Sequence, residues 1–252
     1  LDAREDPSPA GLNFGYQNGF TIASPKGVKF GMNVPFSMRI NSWFQFRHTG
    51  FESHVGGPEQ NDLEFERLRL VFQGTAYTPD LKYFIQLDGD DDQAQVSDWL
   101  DYYIKYDVGH AMGLEAGRLG LRIGQWKLPF NRTRAESGWK LQFTDRSMAS
   151  VFFDINRSRA VGIYGDFGLL GRTVKWESAL SNGFKTGGFL PVRRDLDRNF
   201  GVSTRLWSDW VGQWGSDGES DLSYHCDPAI RVGGGFACTR LNPLSREATR
   251  IR

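Results

Sequence analysis

The chain has 252 residues, and 30 Lys and Arg balance 30 Asp and Glu, so no global field favours nucleic acid or acidic lipid. No run approaches the roughly 20 consecutive apolar residues of a membrane helix, which excludes helical spans but not a barrel, whose strands turn only every second side chain to lipid. The two cysteines, Cys226 and Cys238, make neither a disulfide framework nor a metal cluster.

The first residues, LDAREDPSPAG, show no signal peptide, although a mature exported chain would read the same. Residues 1–29 read as an N-terminal extension, partly periplasmic or plug-like, ahead of a β domain over 30–252. From there the dominant period is two. In FSMRINSWFQFR, Met38, Ile40, Phe44 and Phe46 alternate with Arg39, Asn41, Trp43, Gln45 and Arg47. ERLRLVFQGTA sets Leu68, Leu70 and Phe72 against Arg67, Arg69 and Gln73, and DLKYFIQLD sets Leu81, Tyr83, Ile85 and Leu87 against Lys82, Gln86 and Asp88. WLDYYIKYD opposes Leu100, Tyr102, Ile104 and Tyr106 to Asp101, Tyr103 and Lys105, and LGLRIGQWK opposes Leu119, Leu121 and Ile123 to Arg122. Further strands are expected at Arg159–Phe167, Arg172–Leu180, Asn199–Trp207 and Ala229–Ala237, nine in all, with one short helical turn possible at Arg146–Asp154. YTPD, DGDDDQAQVSD, VGHAMG and GFLPVRRDLDRN read as hairpin connections. The expected fold class is all-β, one curled antiparallel sheet.

The same pattern suits a soluble sandwich with a solvated polar face, or a membrane barrel with an apolar outside and a polar lumen. Large Leu, Phe and Tyr residues on the apolar faces and arginines at successive polar positions, Arg67 and Arg69, favour the barrel. Between Arg118 and Arg159 nine basic residues face three acidic ones. If Pro129 ends its strand and turns the chain inward, the segment from Lys127 to Lys140 becomes a loop that focuses positive potential.

Other chemistry finds little support. Asp88, Asp90 and Asp92 start like an EF-hand loop, but Gln93 replaces its glycine and Trp99 its glutamate, so a solvated turn is the better reading. His48, His54, His110 and His225 have no metal spacing, and no nucleophile elbow or phosphate loop occurs, so no metal, cofactor or enzyme is expected. Cys226 and Cys238 are too far apart along an extended strand to pair, unless Gly233 to Gly235 make a turn.

The ordered motifs FERLRLVFQG, DLKYFIQLD, WLDYYIKY, LRIGQWKLPF, LQFTDRS, NRSRAVGIYGDF and ESALSNG resemble the phosphate-selective porins of bacterial outer membranes, over roughly residues 30 to 237. The resemblance implies a trimeric transmembrane β-barrel of about sixteen strands. The nine expected here make 30–252 an incomplete barrel. It implies a passive channel for small inorganic anions such as phosphate, in contact with outer-membrane lipid, and no nucleic acid partner. By position Lys127 matches the family's strand-end lysine, and Arg132, Arg134 and Lys140 lie on its inward loop. With Arg122 they form the expected constriction; Arg39, Arg67, Arg69, Lys82 and Lys105 are candidates for a pore-lining ladder, and Lys82, Lys105 and Lys127 read as the lysines on inward strand positions. The family's aspartate near phosphate remains open among Asp98, Asp101 and Asp145. Alternatives are a general diffusion porin, a structural barrel of an envelope assembly, or a soluble glycan-binding β-sandwich using Trp207, Trp210 and Trp214.

Overall fold

The computed structural model describes residues 12–24, 36–51, 60–89, 98–141, 146–148, 150, 155–184, 200–212, 214–215 and 227–239. Two compact units, Leu1–Tyr102 and Tyr103–Arg252, divide the chain. Residues 90–97, which include Asp90 and Asp92, as well as Asp145, His54, His225, Cys226 and most of the connection at 184–200, lie outside the described residues.

In the first unit β1 (Asn13–Tyr16) and β2 (Phe20–Ala23) form a hairpin, followed by β3 (Phe36–Phe51), β4 (Gln60–Ala76) and β5 (Thr78–Asp88). Each pairs antiparallel with the next. The hairpin falls within the segment expected as an extension, and β2 is hydrogen-bonded to β3 from Phe20 opposite Ile40 to Ala23 opposite Ser37. β6 (Asp98–Tyr106) carries the boundary between the units.

The second unit continues with β7 (Leu119–Lys127), β8 (Arg157–Leu169), β9 (Arg172–Ser181), β10 (Gly201–Val211) and β11 (Ile230–Thr239), again paired in chain order. All nine expected strands are present, most of them longer than the alternation marks. VGHAMG, expected as a plain hairpin, instead contains α1 (Val108–Ala111), because the Asp107 carboxylate accepts hydrogen bonds from the His110 and Gly117 amides. Gly233 to Gly235 remain in β11, so they make no turn that would bring Cys238 back, and Cys238 is a free, exposed thiol.

Register sorts the second unit into two faces. One is apolar and open: Ile123, Val161, Ile163, Leu180, Val202, Leu206, Val232 and Phe236 are all exposed. On the other face, successive cross-strand rows begin with small residues. Gly124, Ala160, Ser181, Gly201 and Thr239 make one row, and Gly162, Ala179, Ser203 and Ala237 continue the next from Arg122.

A serine on an open polar face should be wet, yet Ser158, Ser181 and Ser203 are only 1%, 1% and 0% exposed. They are covered because the chain beyond β7 lies on them. Trp126, Leu128 and Ile155 form one buried cluster with Ala160 and Ala179, and Phe130 and Phe184 pack against it. Small side chains are required there. A Cβ on Gly235 would sit 2.3 Å from the Phe130 carbonyl oxygen, and one on Gly201 2.7 Å from the Phe184 ring.

Adjacent glycines on opposite faces of β11 give the test. Gly235→Ala should lower stability by about 1–3 kcal/mol through overpacking, measured by thermal unfolding in detergent. Gly234→Ala, where a Cβ meets nothing within 4 Å, should unfold at the unaltered temperature or slightly above it.

Candidate functional site

β7 ends at Lys127, and one further amide, Leu128 to the Asn156 carbonyl at 3.0 Å, extends its ladder before Pro129 breaks it. The chain then makes α2 (Arg132–Ala135), capped by the Asn131 side chain accepting from the Thr133 amide at 3.0 Å, and a 3-10 turn at Gly138–Lys140. Glu136, buried between them, is the knot of the loop. Its carbonyl accepts from Lys127 Nζ at 2.6 Å and from Arg146 Nη2 at 2.8 Å, and its carboxylate pairs with Lys140 at 3.4 Å. Arg146 also donates to the Thr133 carbonyl.

These contacts change the reading of Lys127. Unbroken register opposite Arg157 puts it on the alternation of Ile123 and Gln125, not on that of Arg122 and Trp126, so it is not an inward strand position. Its ammonium closes the loop. Lys140 is likewise engaged by Glu136. Arg132 is exposed on α2 with its guanidinium 4.8 Å from the centre of the Trp214 ring, and Arg134 is half-buried on the same short helix.

Arg122 faces the covered side and is held by aromatic rings. Its guanidinium lies 5.2 Å from the centres of Tyr103 and Trp126 and 5.5 Å from Tyr164, and its ion pair with Glu177 is long, at 3.7 Å. Lys105 shares two of those rings, 5.4 Å from Tyr103 and 5.3 Å from Tyr164. Tyr164 can lean this way because it lies across Gly120, whose missing side chain leaves the room. Cation–π contact stabilises a charge without neutralising it, while Glu177 offsets part of the charge on Arg122.

In the first unit the ladder candidates divide. Arg69 pairs with Asp88, its cross-strand partner, and lies over Trp43. Asp88 is therefore committed to an arginine. Arg67 bonds Gln45 and approaches Glu66 at 3.6 Å. Arg39, opposite Gln73, and Lys82, opposite Thr75, are exposed on their strands.

Sequence reasoning passed over Arg205 and Arg231. The alternation of GVSTRLWSDW already puts Arg205 with Ser203 and Trp207 against Val202 and Leu206; it is buried opposite Glu177, with Trp207 4.5 Å away. Arg231 makes two hydrogen bonds to Asp209, at 2.5 and 3.1 Å. Arg118, in the turn ahead of β7, is held above the ordinary guanidinium pKa chiefly by its hydrogen bonds and charge contact with Glu115, with Asp166 adding to it.

Residues 37–169, 133 positions of the 252, match the family described as phosphate-selective porin O and P. The chain belongs to that family. The match covers β3 to β8 and the whole of the basic loop. It makes the fold class that of a porin, an antiparallel transmembrane β-barrel. Among the described residues no helix is long and apolar enough to cross a membrane, and no group of His, Cys, Asp and Glu is arranged to hold a metal ion. Among curated proteins nothing matches the chain.

The porin's loop rests on Arg146 as much as on its apolar contacts. Arg146→Met removes charge-assisted hydrogen bonds to two carbonyls, worth about 1.5–3 kcal/mol each. Limited trypsin digestion of the folded, detergent-solubilised protein should then cut between 128 and 156 at least several-fold faster, and an unchanged cleavage rate would count against Glu136 as the knot.

Proposed function

We propose that the protein is a passive anion channel of the bacterial outer membrane, with the loop after Lys127 as its constriction. The observation that carries this is the burial of Ser158, Ser181 and Ser203 on the polar side of a sheet whose other side is apolar and open. The packing of Leu128, Phe130 and Ile155 against Ala160 and Ala179 on that side supports the loop as what covers it.

The loop brings charge with it. Arg132 and Arg134 lie on α2, and Arg122 with Lys105 sits beside the point where the loop enters. Lys127 and Lys140 support this constriction from behind by holding Glu136. In a narrow lumen with low-dielectric walls such charges raise local anion concentration. Phosphate fits the family's description, and a guanidinium fork can meet two oxyanion oxygens at once.

A second reading, a general diffusion porin of weak preference, draws on the carboxylates beside the strand cations. Asp88 on Arg69, Glu64 and Glu66 on Arg47, and Glu177 near Arg122 reduce the net field. The full-length channel in a planar bilayer across a tenfold potassium chloride gradient separates the two. A reversal potential on the chloride side supports the anion channel, and one near zero supports the general porin. Arg132→Glu with Arg134→Glu should move the reversal potential toward potassium. An unshifted value would remove the loop from the ion path.

A further inference from the structure

Away from the constriction, the ends of β9, β10 and β11 and the turns beside them border a half-open cleft of about 620 Å³. Its wall includes Arg172, Lys175, Trp207, Asp209 and Arg231, so three cations face one carboxylate. That volume is within the range of small-molecule sites, roughly 300–1,000 Å³, and far exceeds what a single tetrahedral oxyanion fills. Lys175 and Trp207 are cross-strand partners on the same face, so an exposed ammonium and an indole stand side by side.

The cations are held differently. Arg231 is fixed by its two hydrogen bonds to Asp209. Arg172 donates to the carbonyls of Asp209 and Trp210 and lies 5.7 Å from the centre of the Trp210 ring. Asp209 is largely spent on Arg231, and the pair closes one wall. Gly212 and Gly215, both at positive φ, 55° and 70°, carry the chain around the rim, with Trp214 turned back onto Arg231 at 6.0 Å. The same packing counts against Trp210 and Trp214 as a glycan platform, since Trp210 takes Arg172 and Trp214 takes Arg132 and Arg231. Arg205 lies over one face of the Trp207 ring, 4.5 Å from its centre, so a ligand ring has only the opposite face to use.

We infer that this cleft binds an organic anion bearing a flat ring, its anionic group on Lys175 and its ring on Trp207. It is a second site with a different ligand class from the constriction, and its test reads binding to the solubilised protein rather than conduction.

The test uses phenyl phosphate and inorganic phosphate as probes on the full-length porin in detergent, with dissociation constants from isothermal calorimetry. Phenyl phosphate should bind about tenfold more tightly, the scale of one aromatic stacking contact. Trp207→Leu should remove that advantage, and Lys175→Gln should weaken phenyl phosphate about tenfold. Both variants should keep the unaltered strand signal in circular dichroism and the unaltered unfolding temperature in detergent, which shows that they fold. Equal affinities for the two probes, or an advantage that survives Trp207→Leu, would overturn the inference. Loss of anion selectivity in the unaltered protein would sink the channel reading and leave this binding result standing.

Discussion

The second unit depends on side chains that are hardly there. Two cross-strand rows built from glycine, alanine, serine and threonine run from β7 to β11, interrupted only by Arg122. With larger residues the loop would be displaced, because backbone approaches of the kind seen at Gly235, and at Gly162 beneath Trp126, leave no room even for a methyl group. The cost of such a floor is lost packing within the sheet, and the loop's own apolar residues replace it. The loop is thus the core of this face rather than an appendage to it.

Charge is arranged around that floor. Where the rows of small residues end, Glu177 and Arg205 stand in one row and Asp166 and Lys175 in the next. Cations near the entry of the loop are cushioned by Tyr103, Trp126 and Tyr164, whereas those within it divide into supports of Glu136 and the two arginines of α2, Arg132 exposed beside Trp214 and Arg134 half-buried. A basic segment therefore does two jobs at once. Lys127 and Arg146 donate to the Glu136 carbonyl and Lys140 pairs with its carboxylate, so these three cations hold the loop together at one residue.

Much of the fold was legible because alternation over nine or more residues has few competing explanations. Strands β3 to β11 follow from it, and the family match covers the motifs that suggested a porin except ESALSNG, which lies beyond residue 169. β1 and β2 were not seen, since four residues each carry too few alternations, although Asn18–Gly19 between them is a hairpin signal. The site was legible in outline only. Pro129 marked the place where the chain leaves the sheet, but nothing in the spacing showed Lys127 reaching a backbone carbonyl nine residues on. Arg205 could have been found by carrying the alternation through β10, whereas Arg231 needed the register that sets it opposite Asp209.

The central claim is that the loop lies in the ion path and that Arg132, exposed on α2, faces it. Cysteine in place of Arg132, in protein whose Cys226 and Cys238 are serine, tests it directly. During bilayer recording the rate of modification is compared between anionic and cationic methanethiosulfonate reagents. The account predicts that both alter the current and that the anionic reagent reacts roughly tenfold faster, as a positive field requires. Current unchanged by either reagent, or faster reaction with the cationic one, would contradict it.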